Sequence, residues 1–207
     1  MKEMQFSNVD KIIIVGSSQE AIKFKPVEGY KVIAINQAID ITKEYTDYWF
    51  TLDPSIANQK IMREQPYDCI YTAAVPDDFG NKRARLQNLR NPRPDNVFYF
   101  NRISGDGPLG IHYGLCENQN EIATGNSAYG ALNLAYHLGA KEIILLGVSG
   151  DQRPKFDGTF CKRLSHLPDL FASALPQLNY NRISVYTANR ISKIKCFPFK
   201  DIFKGEI

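Results

Sequence analysis

The sequence predicts an α/β fold: a Rossmann-like, three-layer domain with a mainly parallel central sheet and a short lid-like insertion. Three observations predict it. Four short segments are apolar without alternation, at residues 11–15 (KIIIV), 31–35 (KVIAI), 48–52 (YWFTL) and 142–147 (EIILLG). Strands buried on both faces read this way, as the inner strands of a parallel sheet do. Stretches of helical apolar spacing lie between such segments, the pattern of βαβ units. Small polar or glycine residues close these strands: Gly16-Ser17-Ser18, Asn36-Gln37, Asp53-Pro54 and 147–151.

Residues 123–151, ATGNSAYGALNLAYHLGAKEIILLGVSGD, organise the rest. Asn126 or Ser127 caps a helix, because a short side-chain oxygen can accept from the free N–H groups of the first turn. Ala128, Ala131, Leu132 and Ala135 fall on one helical face, and their small size lets a helix approach a sheet closely. Gly139 supplies the positive φ that ends the helix.

In chain order, residues 19–24 have the length of about one and a half helical turns. Pro54 holds Asp53 extended and suits the N1 position of a helix over 55–63. Residues 69–72 form a fourth, weaker strand, 97–100 a strand, and 81–89 a short exposed helix. Residues 104–120, rich in glycine and polar side chains, form either an ordered functional loop or a mobile one. Residues 151–168 are a second polar, aromatic-bearing insertion. A helix over 167–178 breaks or ends near Pro176, and 183–186 and 193–197 are late strands or extended segments.

At 207 residues the chain is expected to be one domain, 1–207, with ample core. A net charge of +3 is too weak to identify a nucleic-acid or membrane partner. The run of Lys82, Arg83, Arg85, Arg90 and Arg93 lacks interleaved aromatics and reads as a solvated face. Cys69, Cys116, Cys161 and Cys196 form no CxxC pair, so reduced thiols in a cytoplasm are expected rather than a zinc or redox site. No secretory leader and no membrane-length apolar run is read. The terminal CFPFKDIFKGEI either packs its phenylalanines on the core, the favoured reading, or touches a membrane or partner.

In open α/β sheets, ligands sit beyond the carboxyl ends of the strands, at a switch in strand order. That places Gly16, Ser17, Ser18, Asn36, Gln37, Asp53, Asn126, Ser127, Ser149 and Asp151 as candidates for one site. Glycine admits close backbone approach, and Ser and Asn offer donors and acceptors for phosphate, ribose and base edge. The same residue types also serve ordinary turns. Gly16 lacks the GxGxxG spacing of a dinucleotide fingerprint.

The sequence resembles the bacterial CMP-sialic-acid-dependent sialyltransferases of glycosyltransferase family 42. It also resembles related proteins carrying a 6-hydroxymethylpterin diphosphokinase-like domain. VGSSQEA at 15–21 resembles their GNGPSL-like first turn, and Ile35-Asn36-Gln37 their CN or NQ strand end. LGAKEIILLGVS at 138–149 is similar to their LGYKEIYLSGID, and VYTANRIS at 185–192 to their closing strand and Asn-bearing turn, which adds Asn189. The resemblance implies that Asn36 holds the nucleotide and that Ser17 stands at a nucleotide-contacting position. It puts Ser127 near the donor and His166 at the catalytic histidine. The chain departs from the family in several places. Ser17 replaces Asn, the first-turn Pro is absent, and Ser149 stands where Asp is usual. The 151–168 insertion is shorter, with Phe156 and Phe160 lacking the hydroxyls of the family's lid tyrosines.

The implied activity is inverting, metal-independent transfer from a nucleotide-activated sugar, with a CMP-sugar favoured. The donor is a co-substrate and no cofactor is expected. His166 acts as general base, since imidazole titrates near neutrality, and N–H groups at Asn126 and Ser127 steady the leaving phosphate. The partners implied are a glycan or lipid-linked acceptor and a homo-oligomer, with peripheral membrane contact allowed. His137 is read as structural, and His112 as either site-lining or, the favoured reading, exposed. Two alternatives stay open: a non-catalytic nucleotide or nucleotide-sugar binder, and a Mg²⁺-dependent diphosphokinase using Asp53 or Asp151.

Overall fold

The computed structural model describes residues 9–75, 94–106, 110–151, 153–160 and 164–203. The expected helix at 81–89, the cationic run and Cys161 lie outside them.

Seven strands form one sheet in the order β5-β4-β3-β2-β1-β8-β9, every neighbouring pair parallel. They are β1 Lys11–Val15, β2 Lys31–Ile35, β3 Tyr48–Thr51, β4 Ile70–Ala73, β5 Phe98–Tyr99, β8 Glu142–Leu146 and β9 Ser184–Thr187. Apolar character on both faces is what a sheet covered twice requires. Ile12, Ile14, Ile33, Phe50, Ile143 and Leu145 point to one side. The intervening Ile13, Val15, Val32, Ile144 and Leu146 point to the other, the period of two of a pleated strand.

The first face carries α3 Ser127–His137, with α4 Leu167–Ala172 and α5 Leu175–Tyr180 packed beside it. The second carries the 3-10 turn Gln19–Lys23, α1 Ile39–Thr42, α2 Ile56–Glu64 and the chain end, where Ile202 and Phe203 pack. Small residues let α3 sit tight on the sheet: Ala128, Ala131 and Ala135 are buried, and a side chain at Gly130 would meet the Phe50 ring at 2.8 Å. Asn126 is the cap, its side chain accepting from the Ala128 N–H at 2.8 Å. Gly139, at φ 80°, follows the helix as expected.

A second, two-stranded parallel ladder, β6 Asn101–Ile103 with β7 Glu121–Ala123, carries the chain from β5 to α3. Asn133, fully buried, welds α3 to this ladder. Its Oδ1 accepts from Cys116 N and Ala123 N at 2.9 and 3.0 Å, and its Nδ2 donates to Cys116 O at 3.1 Å.

Four expectations change. The 97–100 strand is only Phe98–Tyr99, because Phe100 turns the chain out of the sheet toward β6. Pro54 precedes the helix instead of opening it; Ser55 is the cap, accepting from the Asn58 N–H. The expected break in the 167–178 helix falls at Ser173-Ala174 rather than at Pro176, which sits in the first turn of the second helix, where its missing N–H costs nothing. Residues 193–197 are turns: Lys193 N and the Ser192 hydroxyl both bond to Ser149 O, folding the segment over the end of β8. Phe197 packs in the core, while Phe199 is stacked under Arg190. Cys69, Cys116 and Cys196 form no disulfide. Among the described residues no helix is long and apolar enough to cross a membrane.

Candidate functional site

β1 and β8 are neighbours in space, yet the chain runs outward from β1 through β2–β5 on one side and from β8 through β9 on the other. Their carboxyl ends therefore diverge at a switch point, leaving a crevice. The loops leaving them are tied together: Gly16 N donates to Leu146 O at 2.8 Å and Ser18 N to Gly147 O at 3.0 Å. This approach needs glycine. A Cβ at Gly16 would lie 2.5 Å from the Gly147 carbonyl oxygen, and one at Gly147, which is at φ 68°, would lie 2.7 Å from Ala21 Cβ.

Above this junction is a cavity of about 130 Å³. The β1 loop contributes Gly16, Ser17 and Ser18; the end of β2 contributes Ile35 and Asn36; the head of α3 contributes Asn126, Ser127 and Ala128. The β8 loop adds Gly147, Val148, Ser149, Gly150 and Asp151, followed by Arg153 and Lys155, while Leu164 and Leu167 close the side. Hollows of about 450 and 430 Å³ elsewhere lie beside the amino ends of the strands, away from this crevice.

Asn36 is held from behind. Its Oδ1 accepts from the Thr51 hydroxyl at 2.6 Å and from Asn58 Nδ2 at 3.1 Å, and its carbonyl from the Trp49 indole at 2.7 Å. Its backbone sits at φ 53°, a left-handed conformation that Asn tolerates better than most residues. With Oδ1 saturated, Nδ2 is left as a donor. Asn58 is 1% exposed and also donates to Asp53 O at 2.8 Å, so this polar knot is built into the base of α2.

A charged relay closes the other wall. The Ser149 hydroxyl donates to Asp151 at 3.0 Å, Arg153 Nε to the same carboxylate at 2.7 Å, and Arg153 Nη2 lies 2.8 Å from Glu20. Ser18 completes it by donating to Glu20 at 2.7 Å. Burial pushes the Glu20 carboxyl up, but the bonds from Ser18 and Arg153 outweigh it and hold the group below the usual range. Burial likewise pushes Arg153 down, and its two carboxylates raise it further than that.

His166 precedes α4, half-buried, between lining residues Leu164 and Leu167, but is not itself in the lining. Its Nε2 is 3.2 Å from Gly125 O. A carbonyl only accepts, so Nε2 carries a proton, and in the neutral ring the lone pair is on Nδ1. Gln37 is turned away from the cavity, donating to Asn58 Oδ1 at 2.7 Å. Asn189 is buried outside the lining, its Oδ1 accepting from Ile191 N and its Nδ2 without a partner among the described residues. Asp53 is exposed beyond β3 and also outside the lining. β3 and β8 are three inter-strand steps apart, roughly 14 Å, so Asp53 and Asp151 do not face each other across one site. Among the described residues no group of three or more His, Cys, Asp or Glu could hold a metal ion. His112 is half-buried, its N–H donating to Thr124 O. His137 is buried and structural, its Nε2 2.8 Å from Glu121 O.

Arg153 and Lys155 escaped the sequence reading. They belong to DQRPKFDGT, where the turn signal of Asp157-Gly158 was visible. A turn signal alone does not say that the hairpin folds back over the β1 loop.

No protein-family model matches this sequence, and no curated protein matches it. Solved structures do match in shape. The MAf glycosyltransferase of Magnetospirillum magneticum AMB-1 superposes with a TM-score of 0.60 at 13% identity, over 97% of this chain and 35% of that one. This chain thus spans about a third of the MAf protein's length. The Campylobacter jejuni sialyltransferase CstII, in complex with the substrate analogue cytidine-5′-monophosphate, gives a TM-score of 0.50 at 14% identity, over 97% and 89% of the two chains. The sialyltransferase Cst-II with a trisaccharide acceptor and CMP gives 0.53 at 16%, over 96% and 89%. The pterin diphosphokinase-like resemblance gains no support from these structures. At such identities the likeness is one of fold, and the chain has the α/β fold of these glycosyltransferases.

Proposed function

We propose that this protein is a glycosyltransferase-like enzyme that takes a nucleotide-activated sugar, a CMP-sugar by preference, and transfers the sugar with inversion and without a metal. One observation carries the reading. Four segments distant in sequence, at Gly16–Ser18, Asn36, Asn126–Ser127 and Ser149–Asp151, converge on one cavity at the strand-order switch. The shared fold with a sialyltransferase solved with CMP supports the choice of donor.

In the reaction, an acceptor hydroxyl attacks the anomeric carbon from the face opposite the nucleotide. The new C–O bond forms as the bond to the phosphate oxygen breaks, and the phosphate leaves with the electron pair. The acceptor proton passes to Nδ1 of His166, whose tautomer the Gly125 carbonyl sets. The acceptor is a glycan or a lipid-linked glycan.

A second reading, a nucleotide binder without turnover, is favoured by two facts. His166 lies outside the lining, and 130 Å³ is below the ~300–1,000 Å³ of pockets that engulf a whole small ligand. Incubation with CMP-, UDP- and GDP-sugars separates the two. Release of free nucleotide by the native protein, lost by about 10²-fold or more in His166→Ala, supports the enzyme. Binding with no release supports the binder, and full activity in His166→Ala rules out the base.

A further inference from the structure

The two carboxylates and two cations around the cavity sum to zero, but they are not paired evenly. Asp151 is consumed by Ser149 and Arg153, and Glu20 by Arg153 and Ser18. Arg153 is therefore neutralised from both sides. Lys155 is the remaining lining cation, and among the described residues its ammonium makes no ion pair or hydrogen bond. Asp157, two residues on, feels the Lys155 charge but spends its Oδ1 on the Thr159 N–H and hydroxyl, at 2.9 and 2.6 Å. Further lining side chains lack protein acceptors among the described residues: the Ser17 and Ser127 hydroxyls and the Nδ2 groups of Asn36 and Asn126. With Lys155 the unspent groups include five side-chain donors, one of them cationic.

The segment bearing Lys155 is not a loose loop. Lys155 N donates to Thr159 O at 2.7 Å and Gly158 N to Lys155 O at 3.0 Å, closing a hairpin. Phe156 N donates to Ser17 O at 3.0 Å, and Lys155 bridges to Ser18 in antiparallel register. The hairpin is thereby stapled across the β1 loop, and the Arg153 relay clamps its base. The backbone from which the Lys155 ammonium reaches is thereby fixed, which lowers the ordering cost of a charge-assisted bond to an anion.

We infer that Lys155 is the phosphate-binding cation of this site and that it stabilises the departing nucleotide phosphate, where the adjacent Phe156 offers no hydroxyl. The inference rests on the donor-nucleotide reading above and deepens it by naming the group that meets the dianion. The negative charge that builds on the phosphate oxygen as the sugar leaves is met by a full positive charge, which gains most in the transition state.

The test is titration calorimetry of the full chain with CMP, cytidine and inorganic phosphate, on the native protein, Lys155→Met and Lys155→Arg, each with a thermal melt. The expected result is that native protein binds CMP well above cytidine, and that Lys155→Met weakens CMP by about 10- to 100-fold. Cytidine binding stays unchanged in that variant, and Lys155→Arg recovers most of the loss. CMP binding that is equal in native and Lys155→Met protein overturns the Lys155 assignment and leaves the donor reading standing. An equal loss in Lys155→Arg and Lys155→Met, with unchanged melts, also overturns it, since charge would then not matter. Native protein that binds neither CMP nor cytidine overturns both the assignment and the CMP reading. Inorganic phosphate bound without CMP or cytidine counts on the same side: it overturns the assignment of Lys155 to a nucleotide phosphate together with the CMP reading.

Discussion

Replacing Asn133 by alanine tests whether one side chain holds α3, and with it the head of the cavity, in place. Asn133 is fully buried and satisfies two backbone N–H groups and one carbonyl, on Cys116 and Ala123. Its Nδ2 also lies 3.1 Å from His137 Nε2, but that ring nitrogen must carry a proton to bond the Glu121 carbonyl, so the contact with Asn133 is not a second bond. Truncation leaves three buried polar groups unpaired at about 1–2 kcal/mol each, roughly 3–6 kcal/mol together. The whole fold is worth only ~5–15 kcal/mol. With a urea slope near ~2 kcal/mol/M, a loss of ~4 kcal/mol lowers the midpoint by about 2 M. Equilibrium urea unfolding followed by circular dichroism reads this directly. A midpoint that moves by less than about 0.5 M at the same slope refutes the reasoning, because the three backbone groups would then find partners without Asn133.

Two further outcomes are expected. Burial holds the His137 imidazole below its ordinary value, so the folded protein keeps it neutral while the unfolded chain protonates it near pH ~6.5. Its contribution is complete above that pH and is lost as pH falls below it. The urea midpoint should drop between about pH 7.5 and 5.5, and drop less in His137→Gln. Gly16→Ala drives a methyl to 2.5 Å from the Gly147 carbonyl oxygen, forcing the β1 and β8 loops apart. We expect a loss of about 1–3 kcal/mol in the melt and weaker CMP binding, whereas an unchanged protein would mean the two loops are free to separate.

The framework and much of the cavity were legible because their signals are local. KIIIV, KVIAI and EIILL are apolar on both faces, and a parallel sheet covered on both sides is the arrangement that buries such strands. Asn126, the alanines of α3 and Gly139 marked that helix from cap to end. Gly16–Ser18, Asn36, Asn126–Ser127 and Ser149–Asp151 were picked out because close backbone approach needs small or polar residues at strand ends. The pairing of those ends was not local. Gln37 stands beside Asn36 and looks equally suited, but the bond to Asn58 turns it away. Asp53 closes a strand as Asp151 follows one, but β3 lies three strands from β8, so only Asp151 reaches the crevice. Lys155 carries no mark of its place, since its position over Ser18 comes from backbone bonds to a segment more than a hundred residues earlier. Residue type and periodicity thus determined which segments become strands, which helix is buried and where polar turns fall. Strand order and hairpin docking, set by contacts between distant segments, decided which of those turns meet and which charge has no ionic partner among the described residues.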